Sequence, residues 1–473
     1  MRRIDMNDAA FLYVESRETP MHVGGINLFE FPDGANEQRF MKRLADAYLS
    51  TTELREPFGD FVSTGALGKI GPLYWEQDKD LDLDYHVRHS ALPQPGRYRE
   101  LFALTSRLHS TLLDRSRPLW EVHLIEGLQN RQFAIYSKLH HATIDGVAGL
   151  RLTEGMCATN KRKRNDYSPF SQEAFENIVK AKRKAREKMH MPRERELRNI
   201  AEILKQQIGT TAQLVKIVRS YAQTWLGMGG GLAVPFRHVP RTTINSRVSG
   251  SRRFVAQSWS FERVRNVSKA TGGTINDIVL AMCSGALRQY LLAQDDLPKH
   301  SLRAMVPVSV RAADDFQSSN AVSFITANLG TKYADPEDRL ETIMESTRAG
   351  KEVLSGLSAT EATLVAGLSQ TPMFVSNLFG VAEWFPAFST TISNTISNLP
   401  GPKKQLYWNG APMLGTYPAS AIFHGFALNI TLVSYHGNLD FGIMACRRSL
   451  PQVQRLIDYL EESLVELEEM AGV

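Results

Sequence analysis

The sequence predicts an α/β protein of two units, and three observations carry that expectation. At 473 residues the chain is too long for one ordinary core, so two domains with connecting material are the natural division. Stretches of period-2 alternation are interleaved with stretches of helical period in both halves. Between the halves, from about Asn160, the composition turns strongly basic. The expected boundaries are 1–155 for the first unit, 156–249 for a basic, partly helical linker and 250–473 for the second unit.

In the first unit MHVGGINLFEF reads as a strand, EQRFMKRLADAYL as an amphipathic helix and YRELFALTSRLHSTLL as a second helix with one apolar side. PLWEVHLIEGL and RQFAIYSKLH alternate around a short turn at Gln129 and Asn130, the pattern of a hairpin, with Trp120 packing at the strand start. DLDYHVRHS reads as a strand. The hairpin delivers HHATIDG, and GVAGLRLTEGM then reads as a helix.

In the linker, 14 Lys and Arg stand against 7 Asp and Glu between Lys161 and Lys205, enough to account for the formal charge of +5. A solvated helical connector and an attraction to anionic lipid both suit such a stretch. Nucleic acid is not expected as a partner, because the run lacks interleaved aromatics and the rest of the chain is close to neutral. GMGGGLAVPF, Gly227 to Phe236, reads as a flexible crossing; Leu232 in place of a third glycine removes the dinucleotide-binding pattern.

In the second unit RRFVAQSWSFERVRNVSKA reads as strand then helix, TINDIVLAMCSGALRQYLLAQ as a long buried helix and LRAMVPVSVR as a buried strand. TISNTISNLPGP alternates before a Pro-Gly turn, so Thr395 and Ser397 share one face of a strand. HGFALNITLVSYHGNLDFGI reads as a hairpin turning at His436 to Asn438, and LPQVQRLIDYLEESLVELEEM as a closing amphipathic helix.

An apolar content of 43% and a charged content of 22% are those of a globular protein. Cys157, Cys283 and Cys446 are widely spaced and odd in number, which argues for a reducing compartment. Asp5, Asn7, Asp8 and Glu15 interrupt the opening run, so no signal peptide is expected. The most apolar stretch, Thr363 to Phe388, is broken by Gln370, Pro372, Asn377 and Glu383. It reads as a buried helix pair or an interfacial surface, with Phe374, Leu378, Phe379 and Trp384 as core or passage lining. A cytoplasmic location is the expectation from these features, with peripheral contact to the inner membrane face or to lipid bodies left open as an alternative.

The chemically loaded stretch is HHATIDG. His140 and His141 sit where a strand ends, so their side chains point to opposite faces and one of them at most serves a given pocket. No metal is expected: there is no HExxH or CxxC, and His86 and His89 lie in a strand-like context. An imidazole with an ordinary pKa near 6.5 is largely neutral at cellular pH and accepts a proton in a transition state. Asp145 suits the start of the following helix, and Gly146 leaves room beside the base.

HHATIDG resembles the HHxxxDG signature of the CoA-dependent acyltransferase superfamily, built on the chloramphenicol acetyltransferase fold. PMHVGG (Pro20 to Gly25), SRPLWEVHLIEGL (Ser116 to Leu128), TINDIVLA (Thr274 to Ala281), VPVSVR (Val306 to Arg311) and TISNLPGP (Thr395 to Pro402) resemble one branch of it. That branch is the bacterial wax ester synthase/diacylglycerol acyltransferase family. The resemblance implies two chloramphenicol-acetyltransferase-like domains facing each other across a central tunnel, with acyl-CoA entering on one side and a long-chain alcohol or diacylglycerol on the other. It implies no cofactor beyond acyl-CoA as co-substrate.

The resemblance also distributes roles. His141 is the expected base, with Asn276 and Asp145 beside it in the catalytic group. Gly146, Thr395 and Ser397 are expected toward substrate, the two hydroxyls as oxyanion donors or simply as solvent-facing strand residues. Asn276 is a channel amide or part of a helix cap. His140, Arg311 and Asp277 are structural, Arg311 as the ion-pair partner of Asp145. Two alternatives stand beside this reading: a condensation-type enzyme using a carrier-bound acyl group, and a non-catalytic lipid-surface-binding protein. A serine hydrolase is disfavoured because no GxSxG occurs in the chain.

Overall fold

A computed structural model describes residues 1–65, 71–144, 146–165, 167–177, 239–309, 322–355, 376–377 and 392–473. In chain order its elements are β1 (Arg2–Arg3), α1 (Met6–Val14), β2 (His22–Glu30), α2 (Glu37–Leu49), β3 (Asp60–Thr64), β4 (Leu73–Gln77), α3 (Leu83–His86), β5 (Val87–Ala91), α4 (Tyr98–Ser110), β6 (Trp120–Leu128), β7 (Gln132–His140) and α5 (Gly146–Met156). There follow β8 (Arg252–Ser260), α6 (Phe261–Thr271), α7 (Ile275–Leu292), β9 (Arg303–Ser309), β10 (Val322–Asn328), α8 (Pro336–Ser355), β11 (Asn394–Pro400), β12 (Tyr407–Trp408), β13 (Ala411–Ala419), β14 (Leu428–Tyr435), β15 (Asn438–Cys446) and α9 (Arg455–Ala471).

Compactness does not cut the chain at 155 and 250, where composition suggests. One unit holds the described residues of Met1–Ile178, Ser246–Arg263 and Ser397–Ile457; the other holds those of Val179–Asn245, Val264–Ile396 and Asp458–Val473. The reason is strand pairing. In the first unit a six-stranded sheet runs β12-β13-β2-β7-β6-β5, so β2 is hydrogen-bonded on one side to β7 and on the other to β13 from near the C-terminus. Asn27 and Thr416, 389 residues apart, share a side-chain hydrogen bond of 2.8 Å.

Alternation along β6 and β7 gives this sheet two different faces. Phe29, Phe133, Ile135, Leu139, Val122 and Leu124 join Phe40, Met41 and Leu44 of α2 in one buried apolar cluster. Trp120, fully buried, donates its indole N–H to the Phe58 carbonyl at 2.7 Å and packs against Phe170. The opposite face carries Glu121, His123, Tyr136, Lys138 and His140, all buried. Gly24 faces the partner strand so closely that a Cβ would run into the Ser137 carbonyl, which makes PMHVGG a packing motif.

The hairpins expected at Gln129–Asn130 and at His436–Asn438 both form, with Asn130, Arg131, His436 and Gly437 at positive φ. DLDYHVRHS is only half strand: Asp82 accepts the Tyr85 N–H and caps the short helix α3 before β5 begins.

In the second unit α7 is buried on all sides from Asp277 to Leu287, as a helix apolar around its circumference must be. Its N-terminus is a capping box: Thr274 Oγ1 accepts the Asp277 N–H at 3.3 Å, and Asp277 Oδ2 accepts the Thr274 N–H at 2.9 Å. Thr347 of α8 donates to Asp277 Oδ1 at 2.7 Å. β9 pairs antiparallel with β10 and parallel with the first residues of β11. Among the described residues no helix is long and apolar enough to cross a membrane. Most of the basic stretch and most of Thr363–Phe388, with Phe374, Leu378, Phe379 and Trp384, lie outside the described residues.

Candidate active site

The sequence places HHATIDG at the end of β7, and that is where the chain carries it. The ladder with β2 starts at His22 opposite His140, and one residue further the His141 N–H donates to the Met21 carbonyl at 2.9 Å. The chain then turns: the Thr143 N–H and hydroxyl both donate to the His140 carbonyl, at 2.9 and 2.7 Å. Helix α5 begins at Gly146. Asp145 and Arg311, the expected ion pair, lie outside the described residues.

The two histidines are held differently. His140 is fully buried; its Nδ1 accepts the Ala142 N–H at 3.0 Å, and its Nε2 lies 3.4 Å from Glu15 Oε1. His141 is half-buried, and its ring stacks on Phe11 with centroids 4.1 Å apart and planes 10° from parallel.

Glu15 draws several groups together. Oε1 accepts the Met21 N–H at 3.0 Å, and Oε2 receives Arg115 Nη2 at 2.9 Å. Burial alone would push this carboxyl up, but the His140 ring, the Met21 N–H and Arg115 outweigh it and hold it down to about 2. Beside it, Lys138 is fully buried with its ammonium 3.5 Å from Glu121, whose carboxyl His123, Lys138 and Arg88 likewise hold down to about 2 against the pull of burial. At the sequence level Glu15 merely interrupts an apolar run, and neither it nor Phe11 carries a motif that would single it out.

On the other face of the sheet, within the same unit, lies a cavity with about 870 Å3 of empty space, part of it open to solvent. Val23, Ile135, Leu139, Ile144, Leu152, Met156, Phe170, Leu399 and Val433 supply most of its wall, and Tyr48 lies among them. Several polar groups on the wall pair with one another: Asn27 donates to Thr153 Oγ1 at 3.2 Å and accepts from Thr416 at 2.8 Å, and the hydroxyls of Ser420 and Thr431 are 3.0 Å apart. The surface left to a ligand is mostly apolar. Ile144 and Gly146 of the motif belong to this wall, while His140 and His141 do not.

The other expected residues are distributed as follows. Ser397 is half-buried in β11 on the same face as Leu399, which lines the cavity. Thr395 is buried in the second unit, and its hydroxyl has no hydrogen-bond partner among the described residues. Asn276 and Asp277 are also in the second unit, Asn276 half-buried in the first turn of α7 and Asp277 engaged in the cap. Among the described residues no group of His, Cys, Asp and Glu could hold a metal ion.

The fold recurs, at 12% identity and a TM-score of 0.54 over 98% of this chain and 94% of that one, in a variant of the starter condensation domain of rhizomide synthetase. Residues 4–279 match the wax ester synthase/diacylglycerol acyltransferase catalytic domain and residues 318–468 the C-terminal domain of the same family. The mixed α/β fold and these matches define the class: the protein is an acyltransferase.

Relatives agree with that assignment along the whole chain. A Mycobacterium tuberculosis (strain CDC 1551 / Oshkosh) protein, whose name gives diacylglycerol O-acyltransferase as an assignment only, is 44% identical over 98% of this chain and 99% of its own. The O-acyltransferase WSD of Acinetobacter baylyi is 39% identical over 98% of this chain and 96% of its own. The wax ester synthase/diacylglycerol acyltransferase structure from Marinobacter aquaeolei VT8 superposes with a TM-score of 0.77 at 37% identity, covering 100% of both chains. The chain belongs to the wax ester synthase/diacylglycerol acyltransferase family.

The charge on Glu15 has a measurable consequence. Its carboxyl is held at about 2 in the folded protein against an ordinary 4.5, so its contribution is complete above pH 4.5 and is lost as the pH falls toward 2. The shift corresponds to roughly 3 kcal/mol. Urea unfolding of Glu15→Gln should therefore show a shallower loss of stability between pH 4.5 and 2 than the wild type; identical slopes would refute the assignment.

Proposed function

We propose that the protein moves a long-chain acyl group from acyl-CoA to the hydroxyl of a fatty alcohol or diacylglycerol, with His141 as the general base and no covalent acyl-enzyme. The observation that carries this reading is the apolar cavity whose wall includes Ile144 and Gly146 of the histidine motif. A hydrocarbon chain lying there meets a mostly apolar wall, on which Asn27, Thr153 and Thr416 are linked by hydrogen bonds and Ser420 is paired with Thr431. His141 is half-buried whereas His140 is sealed in the core, which makes His141 the ring of the pair suited to exchange a proton with substrate.

In the proposed reaction the acceptor hydroxyl gives its proton to the His141 imidazole as its oxygen attacks the thioester carbonyl carbon. The tetrahedral intermediate carries its negative charge on the former carbonyl oxygen. Ser397, Thr395 and Asn276 are the proposed donors to that oxygen, and the unpartnered hydroxyl of Thr395 favours its inclusion. The carbon–sulfur bond then breaks, the imidazolium returns its proton to the thiolate, and ester and free CoA leave. Asp145, with Arg311, is proposed to brace the loop rather than to relay a proton. General-base help of this kind is worth about 10² to 10⁴ in rate.

Thiol release from palmitoyl-CoA with hexadecanol, and with diacylglycerol as competitor, tests the proposal. Wild-type protein should release thiol, and His141→Ala should lose about 10²-fold or more of that rate with an unchanged circular dichroism spectrum. Normal turnover by a folded His141→Ala, or release only from an acyl-carrier thioester, would contradict the proposal.

The cavity makes its own prediction. Gly149 lies in α5 on the cavity wall, and a Cβ there would meet nothing within 4 Å. A helical glycine is about 1 kcal/mol worse than alanine, so a larger side chain should fold at least as well. Gly149→Leu should shift chain-length preference toward shorter substrates, by about tenfold between the extremes of the series. An acyl-CoA series with fixed alcohol and an alcohol series with fixed donor show which chain lies there, and an unchanged preference in both would exclude the cavity.

A further inference from the structure

Helix α1 brings two side chains, one turn apart, against the two histidine rings. Phe11 stacks on His141, centroids 4.1 Å apart and planes within 10°. Four residues later, at the end of the helix, Glu15 lies 3.4 Å from His140 Nε2. Residues i and i+4 lie on one face of a helix, so a single edge of α1 addresses the whole pair.

That edge is itself anchored to the strand it serves. Glu15 accepts the Met21 N–H at 3.0 Å, and the Met21 carbonyl in turn accepts the His141 N–H at 2.9 Å. Arg115 closes the arrangement on the other carboxylate oxygen at 2.9 Å. The strand ladder fixes the backbone of His141, but a side chain's torsions need a contact of their own. A stacked neighbour holds the plane of the imidazole through contact with its face alone.

We infer that Phe11 is a positioning residue for the transfer reaction, holding the plane of the His141 ring while Glu15 fixes the helix that carries it. This rests on His141 being the base. Phe11 is half-buried, so replacing it need not unfold the protein.

Phe11→Leu keeps an apolar side chain and removes the aromatic face. With palmitoyl-CoA and hexadecanol its kcat should fall about 3- to 10-fold while KM for both substrates and the melting temperature stay near wild type. Phe11→Tyr, which keeps the face, should restore kcat to within about twofold. An unchanged kcat in Phe11→Leu, a rise in KM in its place, or a loss that Phe11→Tyr does not repair overturns the inference. His141→Ala measured alongside separates the two claims. An inactive His141→Ala with a normal Phe11→Leu removes only the role of Phe11, whereas an active His141→Ala removes the general base itself.

Discussion

The pairing of β2 with β7 is the constraint on which the site depends. It runs in register from Glu30–Gln132 to His22–His140 and passes into the bond between His141 and Met21. Because strand side chains alternate, that register sends His140 into the interior and leaves His141 at the turn. A slip of β7 by one residue would turn Lys138 and His140 toward the apolar cluster that contains Phe40, Met41 and Leu44 of α2. The buried charges thus specify the register that presents the motif, whatever they contribute to stability.

The two faces of the sheet divide the work. One offers a mostly apolar cavity in which Asn27 and Thr416 are paired, a surface suited to hydrocarbon. The other holds the buried Glu121, Lys138 and His140, with the Glu15 carboxylate at the end of α1 against His140. Burying ions costs several kcal/mol each unless they are paired and hydrogen-bonded. Here Glu15 has an N–H, an arginine and an imidazole around it, which offsets the cost of keeping its carboxylate charged with the side chain largely out of water. Rigidity on this side supports precision at the end of the strand.

Local signals made much of this legible in the sequence. Alternation in FAIYSKL located the strand end, the helical period of GVAGLRLTEGM located α5, and both hairpins followed from their turn residues. The pairing of Asn27 with Thr416 left no local trace, since the choice of a strand partner hundreds of residues away is made by tertiary packing; the interleaved units follow from it. Glu15 and Phe11 escaped notice for the same reason: their partners are His140 and His141, and nothing in MNDAAFLYVE itself points to an imidazole. The helix at Leu83–His86 was hidden by the β-like composition around it and revealed only by the cap at Asp82.

The central claim is direct transfer from thioester to hydroxyl, assisted by an imidazole that never itself becomes acylated. Intact-mass analysis of the protein after mixing with palmitoyl-CoA alone, with free thiol followed in parallel, tests it most directly. The account predicts an unmodified protein mass and thiol release that begins only when hexadecanol is added. A palmitoylated protein, formed with a stoichiometric burst of thiol before any acceptor is present, would contradict it.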